Sequence, residues 1–112
     1  MQAAEKIAVA AIAHLVDSHG VLHDACEPHC GADGVQFKGI FVRNLVQLAN
    51  HDPNPDYRTF VLTNADSIWQ HARGPRDELG EVWSGPPGDA NAATQSSAMD
   101  AIIAAAALKR KQ

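Results

Sequence analysis

Apolar residues recur at helical spacing along this chain, in four segments separated by loops and turns. The first segment, 3–17, predicts a helix whose apolar residues form one stripe. His19-Gly20 predicts the end of this helix, because glycine suits the left-handed position that follows a helix. The stripe consists of Ile7, Ala11, Ile12, Leu15 and Val16. A long loop over 18–32, rich in His, Cys, Asp and Pro, is predicted next.

The second helix is predicted over residues 34–50, and it stops at Asp52-Pro53. Its apolar residues fall on one side, at Phe37, Ile40, Phe41, Leu45 and Leu48. Asp33 lies three residues before Gln36, which is the spacing of a capping box. The pattern predicts that the Asp33 side chain accepts a backbone N–H of the first turn and that Gln36 reaches back.

The third helix is predicted to begin at Asn54-Pro55, because proline at the first helical position lacks an N–H that would be unpaired anyway. It is predicted to end at Gly74-Pro75. The side chains expected to point inward are Phe60, Val61, Ala65, Ile68 and Trp69.

A loop rich in glycine and proline follows over 74–90, with a short extended piece expected around Val82-Trp83. The fourth helix, 91–109, is apolar nearly all round. Such a helix is expected to be buried on most sides.

Composition narrows the possible partners. The chain has 112 residues, which predicts a single domain with a modest core, and its net charge is −4. Its main cluster of cations, 109–111, suits the C-terminus of a helix, so no nucleic-acid partner is expected. No apolar span of about 20 residues occurs, so no membrane-spanning helix is expected. The first residues do not resemble a signal peptide.

The two cysteines, Cys26 and Cys30, allow three interpretations. A disulfide over so short a segment is feasible if the loop curls, and it would fit an exported protein. A metal site could combine both thiolates with one or two histidines, although the spacing matches no structural zinc module well. Two free, partly buried thiols are the third interpretation. The candidate histidines are His19, His23 and His29.

Three motifs together resemble glycoside hydrolase family 76, the endo-α-1,6-mannanase family. Residues 30–45 read C-x-x-D-x-x-x-F-K-G-I-F-x-R-x-L and residues 64–69 read N-A-D-S-I-W. W-S-G-P at 83–86 is followed by A-T-Q-S-S-A at 93–98. The resemblance implies an all-α fold, a toroid of six α/α hairpins. This chain is similar to its C-terminal third, with about four helices forming two hairpins. In the family, a cysteine just before the D-x-x-x-F-K-G string resembles the arrangement here, which favours the disulfide.

The order of long and short connections assigns the helices within such a toroid. The second and fourth helices follow the long, polar loops, so we expect them to be inner helices and the first and third to be outer. The loops at 21–36 and 83–95 are then expected to share one face of the molecule.

The resemblance points to a sugar-binding role for five residues near these loops: Asp33, Gln36, Lys38, Trp83 and Gln95. Each also has a structural interpretation. Asp33 and Gln36 could serve only as caps, Lys38 could be a solvated lysine, and Trp83 could cover the end of the core. Gln95 lies in a run of small polar residues that could serve helix packing. Arg43 is expected to pair with an acid on a neighbouring helix.

Glycoside hydrolysis usually takes two carboxylates. The resemblance implies an adjacent Asp-Asp pair in an earlier hairpin, and this sequence contains no Asp-Asp. We therefore expect no catalytic residue, cofactor or metal here, and no turnover by the chain alone. Pairings of Asp33 with Asp89 or Asp100 lack support.

The expected role is a cleft wall of a retaining-type enzyme acting on α-1,6-mannan, with α-mannan-type oligosaccharides as ligands. Because four helices cannot close the toroid, self-association or the missing N-terminal part is expected to cover the inner helices. The parent enzyme is expected to be extracellular or in the cell envelope. The alternatives are a non-catalytic carbohydrate-binding or self-associating helical module and a His/Cys metal-binding protein.

Overall fold

Four long α-helices and one very short helix make up most of the computed structural model, which describes residues 2–110. They are α1 (Gln2–His14), α2 (Gly31–Gly34), α3 (Phe37–His51), α4 (Pro55–His71) and α5 (Ala92–Arg110). Residues 2–110 contain no β-strand, only isolated bridges that join Val16 to Leu22 and Arg73 to Leu79. The all-α prediction is therefore confirmed.

Helix α1 ends earlier than the sequence predicts. It stops at His14, because the backbone from Val16 turns back and pairs with Leu22. Gly20 does adopt a positive φ of 80°, but in this turn rather than at the end of the helix. Only Ala8 is buried in α1, and the predicted stripe residues Ile7 and Leu15 are 68% and 54% exposed.

The predicted caps of α3 are wrong. Gln36 is the residue preceding the helix, and its side chain makes no capping hydrogen bond. Asp33 lies inside α2, where its backbone carbonyl accepts the N–H of Gln36 at 3.1 Å. The single turn of α2 thus leads directly into α3, and the N–H groups of Gln36 and Ile40 donate to backbone carbonyls rather than to a capping side chain.

Side-chain caps occur instead at the next two helices. The Asn54 side chain accepts from the N–H of Asp56 at 2.9 Å, and Pro55 begins α4 as predicted. At α5 the Asn91 side chain accepts from the N–H of Thr94 at 3.0 Å, while the Thr94 hydroxyl accepts from the N–H of Asn91 at 2.8 Å. This reciprocal pair fixes the beginning of α5.

The buried face of α3 matches the prediction only in part: Leu45 is buried and Phe41 and Leu48 pack against the core, but the first two predicted residues do not. Phe37 and Ile40 are 58% and 44% exposed. The buried residues are Lys38, Gly39, Val42 and Leu45. They face the core because α5 packs directly on the glycine side of the helix.

Helix α4 is largely as predicted, with Phe60, Val61, Ala65 and Ile68 in the core. The exception is Trp69, which is 48% exposed and lies under the Arg73 guanidinium, 3.8 Å from the ring centroid. The predicted extended piece at Val82-Trp83 is wrong as well. This segment is a turn in which Trp83 is buried.

Helix α5 packs against both α3 and α4, and its small residues allow close contact. The buried positions are Thr94, Ser97, Ala98, Ala101, Ala104 and Ala105. Ile103 is 59% exposed, so α5 is buried on one side in this chain rather than on most sides. None of the helices within residues 2–110 has the length and apolar character to cross a membrane.

Candidate functional site

A cleft of about 580 Å³ opens between the loop before α2 and the loop before α5. Its lining comprises residues 27–29 and 86–89 together with His23, Glu81 and Val82. The two long loops thus lie against each other on one face, as predicted from their positions before α3 and α5.

A disulfide between Cys26 and Cys30 shapes the first wall of the cleft, with the two Cα atoms 4.9 Å apart. It closes a ring that contains Glu27, Pro28 and His29, all of which line the cleft. The two sulfurs are bonded to each other, so neither is available as a thiolate ligand of a metal ion. The disulfide interpretation is confirmed, and the metal and free-thiol interpretations are wrong.

Lys38 joins the two walls from behind the cleft. Its side chain is 2% exposed, and its ammonium donates to the Glu27 carboxylate at 2.5 Å and to the Glu81 backbone carbonyl at 2.8 Å. The same ammonium lies 4.5 Å from the ring centroid of Trp83. Burial lowers the pKa of Lys38, although the bond to Glu27 acts in the opposite direction.

The Glu27 carboxylate collects three donors and is itself 7% exposed. Besides Lys38, it receives the backbone N–H of Asp24 at 3.1 Å and lies 2.8 Å from Nδ1 of His23. The other ring nitrogen of His23 lies 2.9 Å from the Asp17 carboxylate. These contacts form a continuous polar chain from the turn after α1 to the beginning of α3.

The charged side chains along this polar chain shift one another's pKa values. Burial alone would lower the pKa of His23, but hydrogen bonds to Asp17 and Glu27 outweigh it and leave the pKa above its ordinary value. Burial likewise opposes ionisation of Asp17, yet the bond to His23 and two backbone N–H groups leave its pKa below the ordinary value.

Asp24 borders this polar chain and differs from its neighbours. Burial raises the pKa of Asp24, although the nearby Lys38 charge opposes the shift. Its Oδ2 atom is buried and has no hydrogen-bond partner within residues 2–110. A carboxyl group in this position is more easily protonated than a solvated one.

The five sugar-binding residues predicted from the sequence are not gathered in this cleft. Lys38 and Trp83 contact each other behind it, and Trp83 is only 1% exposed, so its ring has no free face for a sugar. Asp33 is exposed on α2, and Gln36 is half-buried before α3. The Gln95 side chain accepts the N–H of Leu79 at 2.8 Å, which fixes the second loop to α5.

The carboxylates that line or support the cleft were not among the predicted site residues. Glu27 lies inside the Cys26–Cys30 ring, and Glu81 lies two residues before Trp83. The Glu81 side chain accepts the N–H of Cys30 at 3.2 Å, so it also joins the two loops. Their positions beside a disulfide and a loop tryptophan were the available signal.

Arg43 has the structural role expected of it. Its guanidinium lies 3.9 Å from the Asp100 carboxylate on α5. Burial raises the pKa of Asp100, while the Arg43 charge partly offsets the effect. This contact joins the two helices whose preceding loops form the cleft.

The whole sequence, residues 1–112, matches the profile of glycosyl hydrolase family 76. The chain belongs to this family. The crystal structure of the Lin0763 protein from Listeria innocua is similar, with a TM-score of 0.84 and 26% sequence identity. The match covers 99% of this chain and 31% of that one, so this chain spans about a third of the length of that protein. No curated protein is significantly similar to the chain.

Membership of family 76 makes the chemistry of the cleft informative. Carboxylates accept hydrogen bonds from hydroxyl groups, and histidines can accept from them or donate to them. Pro86 and Pro87 offer apolar surface beside these groups. The negative charges of Glu81 and Asp89 disfavour anionic ligands, whereas the Glu27 charge is balanced by Lys38. A neutral polyhydroxylated ligand fits this lining.

Proposed function

We propose that this chain forms one wall of the sugar cleft in an extracellular or cell-envelope hydrolase that acts on α-1,6-mannan. The observation that carries the proposal is the cleft between residues 23–29 and 81–89, in a chain that belongs to glycosyl hydrolase family 76. The loops before two neighbouring helices form this cleft, and its lining suits hydroxyl groups.

The catalytic carboxylates, in this proposal, come from outside the chain. The sequence contains no Asp-Asp pair. Glu27 is engaged by Lys38, His23 and the backbone of Asp24, so its carboxylate is not free to attack a sugar. The role left for the chain is to bind and orient the substrate.

The predicted sugar-binding residues divide into two groups in this proposal. Asp33 on α2 and Gln36 before α3 reach solvent outside the cleft lining, and in this proposal they contact the part of the substrate that extends beyond the cleft. Lys38, Trp83 and Gln95 act indirectly, because their side chains hold the two loops at a fixed separation. Asp89, which is exposed and lines the cleft, is added as a direct contact.

We further propose that, in the absence of the rest of a toroid, a second copy of the chain covers the solvent-exposed faces of α3 and α5. These faces expose Phe37, Ile40 and Ile103. The solved relative is about three times longer than this chain, which supports covering of the same faces by the rest of a toroid in a full-length enzyme.

Binding and hydrolysis of α-1,6-mannooligosaccharides test the proposal. We expect binding that shifts the NMR signals of residues 23–29 and 81–89, with no turnover even at high protein concentration. Maltooligosaccharides serve as the control ligand because they differ in linkage and sugar. Asp89→Asn should weaken binding about two- to tenfold, as expected for one hydrogen bond, whereas Asp66→Asn, on the exposed side of α4, should not.

Two results would contradict the proposal. Equal affinity for the two oligosaccharides, or no binding of either, would contradict the assignment of α-1,6-mannan as the ligand. Turnover by the chain that is abolished by Asp33→Asn would mean that an active site assembles without an Asp-Asp pair.

A further inference from the structure

His23 lies between two carboxylates and touches both. Its Nε2 atom is 2.9 Å from Asp17 and its Nδ1 atom is 2.8 Å from Glu27. An ionised carboxylate only accepts hydrogen bonds, so each ring nitrogen must carry a hydrogen for both contacts to be attractive. The geometry therefore requires the charged imidazolium form of His23.

The surroundings of His23 keep both carboxylates in the accepting role. Glu27 also receives the Lys38 ammonium and the N–H of Asp24. The other oxygen of Asp17 accepts the N–H groups of His19 and Val21. Further charges facing this cluster come from the carboxylates of Asp24 and Glu81.

The two carboxylates belong to different pieces of the chain. Asp17 organises the turn that links α1 to the bridge between Val16 and Leu22. Glu27 lies in the disulfide ring that forms one wall of the cleft. His23 is therefore the side-chain link between that turn and that wall.

We propose that His23 is a positioning residue that makes the geometry of the cleft depend on pH, because its imidazolium holds the loop 23–29 against the turn at 17–22. When the ring loses one proton, one nitrogen turns a lone pair towards a carboxylate oxygen. That contact becomes repulsive, and His23 no longer holds the loop against the turn.

The direction of the pH effect follows from the direction of the shift. Because the folded-state pKa of His23 is raised, its stabilising contribution is fully present below the ordinary histidine value of about 6.5. The contribution is lost as the pH rises through the folded-state pKa. The link between turn and loop stands on the geometry alone, and only its effect on sugar affinity rests on the proposed function.

An NMR titration of the intact chain from about pH 5 to about pH 9 tests the inference. We expect the ring nitrogens of His23 to titrate with a midpoint above about 6.5. The amide signals of His19, Val21 and Asp24 should move with the same midpoint, because these N–H groups donate to the two carboxylates.

His29 provides a matched control. It lies in the same loop and lines the same cleft, and no side-chain hydrogen bond or ion pair involves it within residues 2–110. His23→Gln should remove the shared midpoint from the three amides, whereas His29→Gln should leave it in place. If His23→Gln does not fold, the titration of the unaltered chain still decides the question.

Sugar affinity provides a separate measurement. We expect binding of α-1,6-mannooligosaccharides to weaken about two- to tenfold as the pH rises through the His23 midpoint, the loss expected for one hydrogen bond. Amides that do not follow the His23 titration would overturn the inference. Amides that follow it in a chain that binds no sugar at any pH would support the inference and contradict the proposed function.

Discussion

Trp83 is the largest fully buried side chain among residues 2–110, although it lies in a loop. The Lys38 ammonium covers one face of its ring, and the Ser67 hydroxyl donates to its backbone carbonyl at 2.9 Å. A loop that carries so much buried area behaves as part of the core. Trp83 therefore fixes the second wall of the cleft to the helices.

The two tryptophans allow a matched test of this role. Trp83→Ala should lower the free energy of unfolding by about 3–5 kcal/mol, because it removes a fully buried aromatic and leaves a cavity. Trp69→Ala should cost only about 1 kcal/mol, since that ring is 48% exposed. Urea unfolding of both variants measures the difference. Equal losses would contradict the assignment of Trp83 to the core.

At the scale of elements, α3 and α5 approach each other closely at Gly39. Its N–H donates to the Ser97 hydroxyl at 3.0 Å, so a hydrogen bond joins the backbone of α3 to a side chain of α5. A methyl group at Gly39 would lie 2.7 Å from the Ser97 carbonyl oxygen and 2.8 Å from the Asp100 carboxylate. The absence of a side chain at this position sets the separation of α3 and α5.

Gly39→Ala should therefore lower the free energy of unfolding by about 1–3 kcal/mol, the usual cost of overpacking. This loss opposes the gain in helix propensity that alanine normally brings. Asn44→Ala, at an exposed position of the same helix, is the control and should change stability by about 0.5 kcal/mol or less. A Gly39→Ala variant more stable than the unaltered chain would show that the helices can move apart freely.

The helices themselves could be predicted from the sequence because their signals are local. Pro53 and Pro55 mark the break between α3 and α4, and helical spacing of apolar residues marks each interior. Which side of a helix is buried depends on where its neighbours pack. Gly39 is buried because it contacts α5, more than fifty residues away in sequence, and Lys38 is buried beneath the loops that carry Glu27 and Glu81.

The cleft shows the same division between local and long-range information. The loops that form it could be predicted from their length and polarity, whereas the Cys26–Cys30 disulfide is one of three interpretations of the residues and is favoured only by the family resemblance. The partners of individual side chains could not be predicted. Lys38 pairs with Glu27 and with the backbone of Glu81, contacts that depend on how both loops fold over the helices.

At the scale of the whole molecule, the exposed apolar side chains predict self-association. Sedimentation velocity should show an average mass that rises with protein concentration, because burying Phe37 and Ile103 between copies removes apolar surface from water. Ile103→Glu should reduce this association. Ile7→Glu is the control, since Ile7 is at least as exposed as Ile103 but lies on α1. A monomer at all concentrations would contradict the proposed pairing of α3 and α5 faces.

The contact between Lys38 and Trp83 has a further consequence for any ligand. The face of an indole ring on which a sugar would stack is already covered by an ammonium of the same chain. In the terms of enzyme inhibition, Lys38 is an intramolecular competitor of the sugar for this face of Trp83. Because Trp83 is also buried, a sugar can stack there only in the fraction of molecules in which the lysine has left and the loop around the ring has opened, and its apparent affinity is reduced by that fraction.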